Sequence, residues 1–209
     1  MNFENKFLEG LIELGFQEDV KDKLKKLSSK VKWAKGWPEK KESFWNAEAF
    51  MWQHKISSEK RDLITKELFF LNGKKNLDLG CGSYSYIPSI GFDVSEKMLQ
   101  FNENLVSKVK GNLEKKLPFQ DNCFDSVTAI FVLNYICNYD LMLKSIKRIL
   151  MNDGCFMMVL SAKNINSWQR QKEINTFNAG EWKKQLEKSG FKVDFYEKEE
   201  LWFFKCKVI

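Results

Sequence analysis

Two short apolar runs, joined by very little chain, limit how this sequence can fold. Asn76-Leu77-Asp78-Leu79 reads as a strand that enters a glycine turn, Gly80-Cys81-Gly82. A second, shorter strand follows at Ser89–Phe92 and ends on Asp93, in the run Gly91-Phe92-Asp93-Val94-Ser95. From Lys75 onward strands alternate with helical stretches, which is the sequence signature of a parallel sheet. The glycines allow backbone to approach a ligand closely, and a carboxylate at the end of the second strand can accept hydrogen bonds from ribose hydroxyls. The pair of strands therefore suits a nucleoside.

The remaining elements fit the same frame. Ser95 is placed to cap a helix running to about Leu105, with Glu96 and Lys97 in its first turn. Ser107–Lys110 reads as a third strand. The continuous apolar run Phe124–Leu133 is expected of a strand buried on both faces. Tyr139–Leu150 reads as a helix that stops at a tight turn, Met151-Asn152-Asp153-Gly154, before a strand at Cys155–Leu160. Gly180–Ser189 is a last helix, and Phe191–Tyr196 and Leu201–Val208 alternate like an antiparallel hairpin. Before Lys75 the pattern is helical. One helix is expected over Asn2 to about Ser29, with Lys21–Lys26 continuing it as a solvated face. A second carries Trp45, Ala49, Trp52 and Ile56 on one buried stripe. A third starts at Ser57-Ser58-Glu59-Lys60 and runs to about Leu71. Residues 1–72 thus form a helical extension and 73–209 the α/β domain.

Composition narrows the class without deciding it. With 44% hydrophobic and 30% charged residues, the chain has an ordinary globular balance. It has no run long enough for a membrane helix, and Met1–Asn5 lacks a secretory pattern, so a cytoplasmic protein with no membrane partner is expected. Five scattered cysteines and a single histidine, His54, give neither a disulfide framework nor a metal centre. The net charge of +6 favours anionic partners only weakly.

Six segments in order resemble the class I S-adenosylmethionine-dependent methyltransferases, in particular the "type 11" group. They are Leu77–Gly82; Gly91–Leu99, with its S-x-x-M-L helix start; Gly111-Asn112-Leu113-Glu114 with Leu117-Pro118-Phe119; Cys123–Val127; Met151–Cys155; and Ser189-Gly190-Phe191. The resemblance implies a Rossmann-like, doubly wound, mostly parallel seven-stranded sheet with a C-terminal antiparallel hairpin. It also implies S-adenosylmethionine as cofactor. Gly80, Cys81 and Gly82 would lie against its amino-acid half, with Asp78 orienting the loop or meeting the ammonium group. Asp93, followed by Val94, would take the ribose hydroxyls. Asn112 stands where the family usually has an acid against the adenine amino group, and Leu113 would offer its backbone N–H. Phe131, Val132 and Leu133 would sit below the transferred methyl.

Two departures from the family pattern stand out. Tyr84 occupies the usual third glycine, and only Ser83–Ile90 separate the second glycine from Gly91, too few for a packed crossover helix. A shortened first crossover is therefore expected. Tyr84 and Tyr86 then lie either across the cofactor's approach or as packing on the sheet. A short crossover is also found in eukaryotic wobble-uridine tRNA methyltransferases. Strand four continues as Leu133-Asn134-Tyr135-Ile136, with no Asn-Pro-Pro-aromatic motif, which argues against exocyclic-amine base methylation. Asn134, Tyr135 and His54 are the polar candidates near an acceptor, and no catalytic residue is assigned. Trp33, Trp37, Trp45 and Trp52 either wall the acceptor site or fasten the helices to the sheet. Trp168, Gln169 and Arg170 fall in the other segment expected to select it. The leading expectation is transfer to a small molecule. An RNA (tRNA) substrate and a degenerate scaffold acting through a protein partner are the alternatives.

Overall fold

The structure is a computed structural model and describes residues 2–14, 20–52, 55–163 and 172–209. His54, Trp168, Gln169 and Arg170 lie outside the described residues. The strands are β1 (Asn76–Leu79), β2 (Ser89–Asp93), β3 (Leu105–Lys110), β4 (Phe124–Ile130), β5 (Leu150–Ser161), β6 (Phe191–Lys198) and β7 (Leu201–Val208). They form one sheet in the order β3-β2-β1-β4-β5-β7-β6. All neighbours run parallel except β7, which is antiparallel to both β5 and β6. The Rossmann-like sheet with its closing hairpin is thus as the sequence implied.

The period of two along β5 organises the core. Phe156, Met158 and Leu160 face helices α6 (Tyr139–Ile149) and α7 (Ala179–Lys188), through Met142, Ile146, Trp182 and Leu186. Cys155, Met157 and Val159 face the other way, onto Ile64 and Leu68 of α4 (Ser58–Leu68) and onto Leu71. Burying each of these side chains is worth about 1.5–3 kcal/mol. Residues 80–88 join β1 to β2 without a helix, and their Ile87 joins α4 on that second face. So the first crossover is shortened, and an N-terminal helix helps cover the sheet.

The helical extension differs from its expected layout. Asn2–Ser29 is not one helix: α1 (Phe3–Leu14) and α2 (Val20–Ser28) pack together. A Cβ on Gly10 would fall 2.6 Å from Leu24, whereas one straight helix would separate these positions by about 21 Å. The pair shares a core with α3 (Lys41–Glu48) that contains Phe7, Leu24, Trp37 and Phe44. The stripe Ala49, Trp52, Ile56 is buried as expected, but α3 stops at Glu48.

Three boundaries nearer the sheet also moved. Helix α5 (Glu96–Phe101) ends before Asn102 because that side chain ties the crossover, donating to Gly82 O and Ser85 Oγ, each at 3.0 Å. Strand β4 ends at Ile130, since Phe131 has φ +58°. Met151–Gly154 is a bulge inside β5, between the pairs Phe124–Leu150 and Ser126–Cys155, rather than a turn before it.

Candidate cofactor site

The carboxyl ends of β1, β2 and β4 meet beside the glycine turn, where ligands bind in open α/β sheets. Asp93 closes β2 with only 7% of its surface exposed. Its Oδ2 accepts from Gly82 N at 3.0 Å and its Oδ1 from Ser95 N at 2.8 Å. One carboxylate therefore pins the glycine turn and the start of α5 together, and each oxygen keeps a further lone pair. Ser95 Oγ in turn caps α5 by accepting from Met98 N, and itself donates to Asn46 Oδ1 at 2.8 Å. This bond attaches the extension to the rim of the site, as do Lys41–Glu114 at 2.7 Å and Lys110–Glu42 at 2.8 Å.

Asp78 on β1 is equally enclosed. Ser85 Oγ donates to its Oδ2 at 2.6 Å, and Thr128 Oγ1 to its Oδ1 at 2.8 Å. The first bond reaches into the crossover, so Asp78 orients the loop. Burial pushes both carboxyl groups up to about 6: backbone N–H groups oppose the shift at Asp93, while the charge of Asp93 adds to it at Asp78. Cys81 is a buried free thiol whose ionisation is pushed well up by burial and by the two aspartates. Its side chain is buried beside the turn.

An apolar cleft runs from this corner. Gly80, Gly82, Asp93, Val94, Asn112, Leu113 and Phe131 line it, seven of the nine residues singled out from the sequence. Asp78 and Cys81 line an adjoining cavity with Tyr84 and Tyr86, which pack edge to face at 5.2 Å. Arg61 lies over the Tyr84 ring at 4.7 Å. Asn112 Oδ1 accepts from Glu114 N at 2.9 Å, which fixes its amide at the cleft edge. Phe131 and Val132 border the cleft, while Leu133 is wholly buried in the core.

Lys41, Trp45, Trp52 and Tyr135 complete the lining. Lys41 gave no sequence signal. The tryptophans divide: Trp33 and Trp37 belong to the core of the extension, whereas Trp45 and Trp52 border the cleft. Trp45 packs edge to face on Tyr135 at 5.1 Å and on Trp52 at 6.3 Å. The Tyr135 hydroxyl is buried without a partner among the described residues, and burial raises its pKa, so it stays protonated. Asn134 Nδ2 donates to Glu173 at 2.8 Å.

The turn fits an approaching ligand because it has no side chains there. Gly80 has φ +63°, and a Cβ on it would lie 2.7 and 2.9 Å from the Val132 methyls. Gly80→Ala is expected to cost about 1–3 kcal/mol through the left-handed backbone and this clash. Adding Val132→Ala should recover the clash but not the backbone strain. Denaturant unfolding of both variants checks this: a full recovery would mean that φ at Gly80 carries no strain.

Residues 77–158 match the family model described as "Methyltransferase domain". Over this stretch the chain is similar to class I S-adenosylmethionine-dependent methyltransferases. The domain is 34% identical over 119 residues to demethylmenaquinone methyltransferase of Staphylococcus carnosus, covering 49% of this chain and 48% of that protein. It is 32% identical over 108 residues to an uncharacterized protein of Methanocaldococcus jannaschii, covering 48% of this chain and 41% of that one. The chain thus spans about half the length of these relatives, or less. Among solved structures, a chain from the complex of the Haloferax volcanii Trm112 methyltransferase activator with a methyltransferase aligns at TM-score 0.63 and 17% identity. That alignment covers 78% of this chain and 97% of that one. An S-adenosylmethionine-dependent methyltransferase of Aquifex aeolicus aligns at TM-score 0.60 and 17% identity, covering 77% and 98%. The chain has the fold of both. Among the described residues, no helix is long and apolar enough to cross a membrane.

Proposed function

We propose that this chain transfers a methyl group from S-adenosylmethionine to a small-molecule acceptor, with residues 1–72 acting as the cap of the methyltransferase domain. The observation that carries the reading is Asp93, buried at the end of β2 and holding the glycine turn by Gly82 N. When bound, the cofactor supplies an electrophilic methyl group on a positively charged sulfur. Asp93 accepts the ribose hydroxyls, and Asn112 with Leu113 borders the base. Gly80 and Gly82 leave room for the amino-acid half. Ile130, Phe131 and Val132 exclude water at the end of β4, where alignment and desolvation are the protein's contribution.

A small acceptor is favoured over RNA by the approach beyond Trp45 and Tyr135. That opening is bordered by Pro38, Phe44 and Ile174, with Lys41 and Lys172 offset by Glu39 and Glu173. It is an aromatic passage with balanced charge rather than a basic stripe. A partner-assisted form of the same enzyme is favoured by one feature. Strand β3 is an edge strand whose Val106 is 76% exposed, and open edges accept an added strand.

Calorimetric titration with S-adenosylmethionine and S-adenosylhomocysteine tests the reading. Micromolar binding of both is expected. Binding of neither would overturn the cofactor reading.

A further inference from the structure

Trp52 belongs to the helical extension, yet it borders both halves of the site. It lines the cleft that holds Asp93, Asn112 and Leu113, and also the adjoining cavity that holds Asp78, Cys81, Tyr84 and Tyr86. The residue is 9% exposed. Its pyrrole edge points at the glycine turn: a Cβ on Gly82 would lie 3.4 Å from Nε1 and 3.8 Å from Cδ1. Edge-to-face contact with Trp45 holds the ring in that attitude. No described residue accepts the hydrogen bond that Nε1–H offers.

An indole N–H that opens on a cleft is a ready donor to a ligand held there. Here the donor faces the glycine turn, which also borders the adjoining cavity that Asn112 and Leu113 do not line. We infer that Trp52 Nε1–H is the donor reserved for the amino-acid carboxylate of the cofactor, so that the extension supplies one of the cofactor's own contacts. The inference rests on the cofactor reading above and adds a residue that the strand-end motifs do not contain. It also gives the short crossover a physical counterpart. A crossover of nine residues without a helix offers no helix N-terminus at the glycine turn, and the indole provides a donor from outside the sheet.

Two nucleosides separate this role from packing. S-adenosylhomocysteine carries the amino-acid tail, and 5′-methylthioadenosine lacks it. Trp52→Phe keeps a ring and removes the N–H. A hydrogen bond to a charged group predicts about tenfold or greater loss of S-adenosylhomocysteine affinity in Trp52→Phe, with 5′-methylthioadenosine affinity within about twofold of the parent. In the unsubstituted protein, the Trp52 indole N–H resonance should move downfield with S-adenosylhomocysteine and stay near its free position with 5′-methylthioadenosine, a readout independent of any variant's folding. Equal losses for the two nucleosides, or equal movement of the resonance, would overturn the inference and leave the cofactor reading intact. Failure of the unsubstituted protein to bind either nucleoside would overturn both.

Discussion

Asp93→Ala should lower S-adenosylhomocysteine affinity by about a hundredfold or more. The carboxylate is to accept both ribose hydroxyls, and hydrogen bonds to a charged acceptor are each worth about 1.5–3 kcal/mol. At about 1.4 kcal/mol per tenfold, two such bonds exceed two decades. The substitution also frees Gly82 N and Ser95 N, which the carboxylate now holds at 3.0 and 2.8 Å, so the turn loosens where the ligand must rest. Asp93→Asn keeps one acceptor oxygen and should lose about tenfold. Calorimetry on variants whose circular dichroism matches the parent checks both. Affinity within a few-fold of the parent in a folded Asp93→Ala would remove Asp93 from the site.

The second large effect is a divergence of stability and affinity with pH. Asp78 and Asp93 titrate near 6 in the folded chain, against 3.8 for the ordinary group. A carboxyl raised on folding binds more protons in the native than in the unfolded state. Its contribution is full below pH 3.8 and is lost as pH rises through 6. Between pH 8 and pH 5 the free protein should therefore gain about 1 kcal/mol from each. Glu67 and Glu114 are held below the usual carboxylate range by their lysine partners, and their stabilisation is lost only as pH falls beneath 4.5, outside this window. Cofactor binding needs Asp93 ionised, so affinity should fall about tenfold over the same interval. Thermal melts and calorimetry at pH 5 and pH 8 check both trends. A melting temperature that falls on acidification, or an affinity that does not change, would show that Asp93 is already ionised at pH 5.

The α/β part of the fold was legible because its signals are local. The turn Gly80-Cys81-Gly82, the acid closing β2 and the apolar run of β4 each announce themselves over a few residues, and seven of the nine residues chosen from them share one cleft. Boundaries moved where a distant side chain intervened. Asn102 leaves its helix to hold Gly82 and Ser85, and Phe131 leaves its strand with a left-handed backbone, neither of which periodicity records. The extension was less legible. A heptad-like pattern over Asn2–Ser29 looks the same for one helix as for two that pack together, and only the Gly10–Leu24 approach tells them apart. Trp45 and Trp52 kept the spacing of a packing stripe and do pack. That they also border the cleft depends on how the extension docks through Asn46 and Lys41, and no local pattern encodes it.

The position of α4 has a consequence for the order in which the chain assembles. Ile64 and Leu68 lie far ahead in sequence of side chains they cover, Met157, Val159, Leu201 and Phe203. Ile87 meets that helix over a short stretch of chain, but the helix's pairing with β5 and β7 spans much of the sequence. Long-range contacts of this kind slow folding and prolong the exposure of sticky intermediates. Strand β7 completes the surface on which that helix rests.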